Sequence, residues 1–392
     1  MDSLIAANIG QRPLRTAISV IGVALGVILV TLFVGLARGM MHDAARRQSN
    51  VDAEVRFLPG GNVALAGNPL MLSARYADAI LHGVQPTADD PDLEPKPPIY
   101  GVAATSAVGE YVQNSVAGIG FEMVDGLDYA SFINTTHLTL AKGRGLGDGL
   151  APDTEYEAIV DRYYADLGKD IDGKPVRIGS KITVLAHEFT VAGIYEPAVL
   201  ARVKIPLRTM QQLLGGPENC TFVMVKCERP ELADQVVEQL RRYYPGNRVI
   251  LTNEIPALYS QGLAPVEIFL KVVIGLGLII SVLVILLAMY TTIIERTREI
   301  GILKSLGASK RFIVMIIEKE AALISAMGVA LGFAVALLGK LWLEANTRLI
   351  VELEPKWLLI AALIGVLGGI IGALYPAMRA ANLDPVEAIS YD

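Results

Sequence analysis

The chain has 392 residues, 53% of them hydrophobic and only 19% charged, with a formal charge of −6 and a mean hydropathy of +0.46. An acidic balance gives no footing for nucleic-acid binding, and so apolar a composition is that of a membrane protein rather than a soluble domain. Two cysteines and four histidines leave no disulfide or metal framework to build on.

Four runs contain no Asp, Glu, Lys or Arg: Thr16 to Ala37, Val272 to Ile294, Ala321 to Gly339 and Trp357 to Met378. A hydrocarbon layer of about 30 Å takes roughly 20 residues of helix, so each run predicts a membrane span. In chain order the segments are a cytoplasmic amphipathic segment at 1–15 and a first span at 16–38. An extracytoplasmic domain at 39–266 and a second span at 267–294 follow. A charged helix and turn at 295–311 leads to a third span at 312–343, an outer loop at 344–356, a fourth span at 357–378 and a cytoplasmic tail at 379–392. The first apolar run is too long for a signal peptide, and no small-x-small cleavage site follows it closely, so it reads as an uncleaved anchor.

The domain at 39–266 carries 20 basic and 28 acidic residues, a charge of −8, which leaves +2 for the rest. Its pattern is mixed α and β. Lys181 to Ala186 and Phe189 to Tyr195 predict a hairpin around a His187-Glu188 turn, and Cys220 to Lys226 and Arg248 to Leu251 predict further strands. From Glu231 to Tyr244, Leu232, Val236, Val237 and Leu240 recur on one helical face, and Pro245-Gly246 ends it. Gln85 to Pro98, with five prolines, reads as an extended loop. Cys220 and Cys227 are too far apart along one strand to bridge, so they read as buried thiols.

Basic residues fix the orientation. Arg296, Arg298, Lys304, Lys310 and Arg311 crowd the loop between the second and third spans, whereas the next loop has only Arg348 and Lys356 against three glutamates. The charged loop and both termini are therefore expected inside. Gly22 and Gly26 on the first span, with Gly365, Gly369 and Gly372 on the fourth, are places where helix backbones can approach within a bundle or across a dimer.

The segment Glu295 to Arg311 is the candidate functional site. Ile293, Ile294, Ile300, Leu303 and Leu306 suggest one apolar side, leaving Glu295, Arg296, Arg298, Glu299 and Lys304 for a polar partner. Gly307 is a natural left-handed stop, followed by Ala308 and by Ser309, which can cap the next helix. A solvated basic loop would account for the arginines and lysines but not for the glutamates, the apolar side or the Gly-Ala-Ser turn. Catalytic chemistry is absent from the sequence: no GxxxxGK[ST] phosphate loop, HExxH motif or GxSxG elbow occurs. The apolar runs hold no ionisable residue to mark an ion or proton path.

Glu295-Arg296-x-x-Glu299-Ile300-Gly301-Ile302-x-Lys304-x-Leu306-Gly307-Ala308-Ser309 closely resembles the cytoplasmic signature of the MacB/FtsX superfamily of ABC transporter permeases. The C-terminal stretch Tyr375-Pro376-Ala377-x-Arg379-Ala380-Ala381-x-Leu383-Asp384-Pro385-Val386-Glu387-Ala388-Ile389 is similar to a second family motif, as are Arg15-Thr16 and Lys142-Gly143-Arg144. The resemblance implies four membrane helices with a large α+β extracytoplasmic domain after the first, built as a porter-like part plus a small inserted domain. It implies a non-enzymatic permease subunit in a bacterial inner membrane, working as a dimer, expected to be a homodimer, with two copies of a separate MacB/LolD-type ABC ATPase. ATP and Mg would sit on that ATPase, and this chain would bind no cofactor of its own.

By the same resemblance, Glu295, Arg296, Arg298, Glu299, Ile300, Lys304, Gly307, Ala308 and Ser309 form the coupling helix that touches the ATPase. ATP-driven closure would move the extracytoplasmic parts and drive export, with a periplasmic adaptor as a further partner. Lipoprotein extraction in the manner of LolC and LolE, or FtsX-like regulation of cell-wall enzymes, are the alternatives the resemblance leaves open.

Overall fold

The computed structural model describes residues 13–61, 70–85, 94–114, 121–152, 154–255, 264–347 and 349–384. The amphipathic segment before the first span, the centre of the Pro-rich stretch and the end of the C-terminal motif lie outside the described residues. The chain divides into two compact units. One takes Met1–Met40, Ala264–Ala345 and Leu349–Asp392, and the other Met41–Leu263 and Asn346–Arg348.

In the first unit every expected span lies inside a longer helix: Pro13–Ser49, Ala264–Glu295, Lys310–Asn346 and Pro355–Asn382. All four are long and apolar enough to cross a bilayer, which makes this a multi-pass membrane protein. The third helix begins at Lys310 and so carries Glu318 and Glu320, which the charge-free run starting at Ala321 leaves out. Lipid offers apolar side chains as good an environment as a neighbouring helix does, so small residues that allow close approach decide the packing.

The glycines supply that approach within a single chain. A Cβ on Gly22 would strike Val284, one on Gly26 would meet Ser281 Oγ at 2.9 Å and Gly277 O at 3.0 Å, and one on Gly365 would meet Val329 at 2.6 Å. Gly369 abuts Ser325, and a Cβ on Gly372 would lie 2.5 Å from Val282 O. All five face the chain's own helices, which is packing inside the bundle. Gly35 O also accepts Glu352 N–H at 2.9 Å, and Gly39 leaves room for Ile350 O, which seats the segment before the fourth helix against the first.

The second unit is an α/β layer. Its strands are β1 (Val55–Leu58), β2 (Leu72–Ser73), β3 (Val102–Asn114), β4 (Phe121–Leu127), β5 (Thr139–Gly143) and β6 (Glu157–Asp161), then β7 (Lys181–Val184), β8 (His187–Glu196), β9 (Val203–Pro206), β10 (Asn219–Cys220), β11 (Phe222–Cys227) and β12 (Arg248–Leu251). The main sheet runs β12-β1-β11-β3-β4-β9-β6-β8-β5, with β7 on β8 and a separate β2–β10 ribbon. Strands β12, β1, β11 and β3 pack under helices Arg75–His82 and Ala233–Tyr243 through Phe57, Ile80, Val223, Val225, Val236 and Leu240. The stretch β4 to β9 is inserted in the chain between β3 and β11, two strands that pair with each other, and it has its own core around Val160, Phe189 and Val203.

Two expectations in this unit need correction. The hairpin turn is Leu185-Ala186, not His187-Glu188. Both turn residues have positive φ, +50 and +63, while His187 and Glu188 pair with Val184 and Thr183 in the ladder. A two-residue hairpin favours this left-handed backbone, and here Gln113 Oε1 holds it by accepting Leu185 N–H at 2.8 Å. The predicted Cys220–Lys226 strand is broken at Thr221, yet both cysteines stay free and buried. Lys142-Gly143-Arg144 ends β5, where Gly143 takes φ +82 beside Ala192 O and Arg144 pairs with the buried Glu157.

Charge fixes the end of the first helix within this unit. Arg202 bridges Asp43 (2.7 Å) and Asp161, and Asn50 donates to Ala198 O at 2.7 Å. Next to it Lys204, fully buried, gives its three protons to Asp125 Oδ2 (2.8 Å), Val199 O (2.9 Å) and Ala201 O (3.1 Å). Burial pulls the Lys204 ammonium below its ordinary range, and the carboxylate of Asp125 opposes that shift.

Gly372→Ala should lower the melting temperature of the detergent-solubilised protein, because its Cβ meets backbone. Gly275→Ala, with nothing within 4 Å of its Cβ, should leave the melting temperature unchanged or raise it, since alanine favours helix over glycine by about 1 kcal/mol. Equal melting points for the two variants would contradict the close-packed bundle.

Candidate functional site: the charged helix and turn between the second and third membrane helices

The second membrane helix ends at Glu295, and one residue separates it from a short helix, Thr297–Ser305. Arg296 makes the break with φ −107 and ψ 14. Its N–H still bonds back to Thr292 O at 3.1 Å, and Thr297 Oγ1 donates to Ile293 O at 3.0 Å and Ile294 O at 2.9 Å. The carbonyls freed at the bend are thus taken up locally.

The short helix closes as the sequence predicts. Gly307, at φ +94, sends its N–H to Lys304 O (3.0 Å), and Ala308 sends its N–H to Leu303 O (3.0 Å). This pair of bonds is the Schellman arrangement, which asks for a left-handed residue at Gly307. Ser309 Oγ then accepts Phe312 N–H at 3.3 Å and caps the third membrane helix.

The faces of the short helix differ from the expected pattern. Ile293 and Ile300 are buried in the bundle core, but Ile294, Leu303 and Leu306 are exposed, Leu306 to 80%. The backbone bends at Arg296, so apolar positions counted on one face across the bend fall on two. Arg298, Glu299, Ile302, Leu303 and Leu306 are exposed along one arc of the short helix, polar at its start and apolar at its end, with Leu303 at the edge that borders Ile313 and Ile316 of the third helix.

Two residues expected to serve a partner are occupied internally. Arg296 donates to Glu299 Oε2 at 2.7 Å and lies 3.5 Å from the buried Glu320 on the third membrane helix. Lys304 reaches the end of the fourth helix, donating to Ala381 O at 2.9 Å and to Leu383 O. Lys310 Nζ bonds Asn382 Oδ1 at 2.8 Å, and Arg379 donates to Tyr290 Oη at 2.7 Å. Glu295 is exposed at the end of the second helix, and Ala308 packs against the core.

Glu320 and the carbonyls of the fourth helix are functional-region residues that the sequence reading missed. Glu320 could have been noticed as an acid one residue before an apolar run, three helical turns after a basic cluster. Main-chain carbonyls leave no such trace in a sequence.

Comparisons with known proteins agree with this layout. The family model for the MacB-like periplasmic core domain matches residues 16–243, and that for the FtsX-like permease C-terminal region matches 271–385. The macrolide export ATP-binding/permease protein MacB of Pectobacterium atrosepticum is 22% identical over 401 residues, covering 99% of this chain and 59% of its own. An uncharacterized ABC transporter permease of Methanocaldococcus jannaschii is 21% identical over 412 residues, covering 97% and 95%. The chain thus spans less than two thirds of the length of its MacB relatives and nearly all of the archaeal one. The crystal structure of the periplasmic region of MacB from Actinobacillus actinomycetemcomitans aligns with a TM-score of 0.37 at 12% identity, covering 56% of this chain and 98% of that one.

Arg296→Met should destabilise the protein by on the order of 2 kcal/mol, because it strips a cation from the buried Glu320. Arg298→Met, on the exposed face, should leave the melting temperature within error. A melting curve shifted equally by both substitutions would mean that Arg296 is not a tether.

Proposed function

The chain belongs to the MacB/FtsX-like family of ABC transporter permeases, and from that premise we propose that it is the membrane subunit on which an ABC ATPase acts to drive export. The reading rests on one observation above all, the exposed face of the helix Thr297–Ser305. Arg298, Glu299, Ile302, Leu303 and Leu306 are exposed on a helix that follows the second membrane helix after one residue, is closed at its C-terminal end by the Gly307 turn and is backed by Ile300. Such a surface suits a groove that combines a polar rim with an apolar floor, and the rigid backing suits the transfer of force rather than passage of a solute.

In this reading the ATPase is a separate subunit, present in two copies, and it holds the ATP and Mg. Nucleotide-driven approach of the two ATPases displaces the short helices, and the displacement travels through the membrane helices to the extracytoplasmic α/β domain, which with a periplasmic adaptor moves the substrate. The permease acts as a homodimer in the bacterial inner membrane, with both termini and the short helix on the cytoplasmic side. Because the packing glycines are already used within the chain, the second copy meets outward-facing side chains instead. The macrolide export named for the MacB relatives supports export as the class of activity.

Glu299→Lys reverses a charge on the exposed face, and Gly307→Val forces a β-branched residue into a left-handed backbone that otherwise has open space around it. Each should weaken co-purification with the ATPase by about tenfold or more, on the scale of a lost interface charge pair or a strained turn. Wild-type recovery of the ATPase with both variants would remove the assignment.

Orientation is open to labelling, because the native thiols are silent. Burial pushes Cys220 up to about 12, and burial together with the carboxylate of Glu54 pushes Cys227 up to about 12. A membrane-impermeant maleimide should therefore modify an Asp172→Cys variant in intact cells. It should modify a Ser305→Cys variant only after permeabilisation, and the reverse pattern would invert the topology.

A further inference from the structure

The fourth membrane helix ends without a glycine cap. Its last residue is Asn382, and Leu383 turns to φ −56 and ψ 140, which leaves carbonyls of the final turn without helical partners. Those carbonyls also carry the negative end of the helix dipole. Three basic side chains gather there, two from other parts of the unit and one, Arg379, from the helix itself. Lys304 of the short helix donates to Ala381 O and Leu383 O. Lys310, at the start of the third helix, bonds Asn382 Oδ1. Arg379 lies over the ring of Tyr290 on the second helix, 5.1 Å from its centroid, and donates to its hydroxyl. Beneath them Ala377, Ala380 and Ala381 are buried in the same core as Ile300 and Ile313.

Lys304 differs from the other two in what it joins. It is the only described side chain of the helix Thr297–Ser305 that bonds to the fourth helix, and it does so through main-chain atoms that no substitution on the fourth helix can remove. One ammonium holding two carbonyls that lie two residues apart, one in the last turn of the helix and one just past its end, fixes distance and direction together, which a single surface ion pair does not. The packing of Ile300 alone would allow the short helix to slide along the alanine surface.

We propose that Lys304 is a positioning residue that locks the short helix to the C-terminal turn of the fourth membrane helix, so that the two move as one body. A displacement of the short helix then reaches the fourth helix directly, in parallel with the covalent routes into the second and third. This rests on the preceding reading that the ATPase acts on the short helix. It differs from the expectation that Lys304 touches the ATPase, because Lys304 faces the permease's own backbone.

The test uses the full-length permease with its ATPase in lipid nanodiscs, comparing Lys304→Met and Lys304→Arg. Arginine can still give two hydrogen bonds to two carbonyls, and methionine can give none. Spin labels at Ser305→Cys and Tyr375→Cys, both exposed positions, report the distance between the short and fourth helices with and without ADP and vanadate. In the otherwise native protein and in Lys304→Arg the distribution should stay narrow and unchanged by nucleotide. In Lys304→Met it should broaden and shift with nucleotide. Stimulation of the ATPase by the permease should fall about fivefold or more in Lys304→Met, while co-purification stays at the wild-type level.

Loss of co-purification in Lys304→Met would make Lys304 a direct ATPase contact and overturn the lock. An unchanged distance distribution together with unchanged stimulation would overturn it as well. Should Lys304→Met fail to fold, Lys304→Gln, which can hold one of the two carbonyls, takes its place with the same readouts. Failure of the underlying functional reading looks different, since there Glu299→Lys retains the ATPase in full.

Discussion

A bilayer removes the usual reason for apolar side chains to seek one another, and the rest of this structure follows from how the chain answers that constraint. Close backbone contact replaces hydrophobic burial as the source of specificity. Gly26 against Gly277, Gly372 against the Val282 carbonyl and Gly328 and Gly332 against the first helix bring the four helices within a single chain to separations that larger residues would forbid. The helix ends are set locally, by the bend at Arg296, the left-handed Gly307 and the Ser309 cap, and those ends carry the candidate site. A bundle held by side chains alone could rearrange by rotamer changes. One held by backbone proximity moves as rigid rods or hardly at all.

At the charged segment the same economy appears in the division of its residues. Signature positions that resemble a single docking motif perform two tasks here. Arg296, Ile300, Lys304 and Ala308 face inward and attach the short helix to the third and fourth helices and to the core, whereas Arg298, Glu299, Ile302, Leu303 and Leu306 face outward. The two sets interleave at helical spacing. An outward surface of mixed polarity is of use for transmitting force only if the helix bearing it is itself anchored, and the inward set provides that anchoring. Gly307 and Ser309 belong to neither set and end one helix and start the next within four residues.

What the sequence made legible was whatever a single stretch of chain decides for itself. Four charge-free runs lie within the four long helices, and Arg248 to Leu251 is a strand with those limits. Gly307 and Ser309 cap as their chemistry requires, because a left-handed backbone and an N-cap hydroxyl are local demands. The Glu231 to Tyr244 face was right at Val236, Val237 and Leu240 for the same reason. The misreadings all concern tertiary decisions. Leu185-Ala186 makes an unfavoured turn because a glutamine from β3 holds it. Ile294, Leu303 and Leu306 left the apolar face because one residue bends the axis, and Lys304 found carbonyls on a helix some 77 positions along the chain. The glycine spacings marked close approach correctly but carried no information about which helix would approach.

The first helix has a consequence of a different kind. Its 37 residues make a rod of about 55 Å, while the hydrocarbon layer accounts for about 30 Å of that length. One uninterrupted hydrogen-bond ladder therefore passes from a solvent with no water into one that is nearly all water. Backbone amides inside the hydrocarbon have no water to exchange with, and those beyond it, several of them on exposed residues, do. Read residue by residue from Pro13 to Ser49, deuterium uptake along this rod would trace the edge of the membrane as a step, giving the protein a depth gauge built from its own backbone.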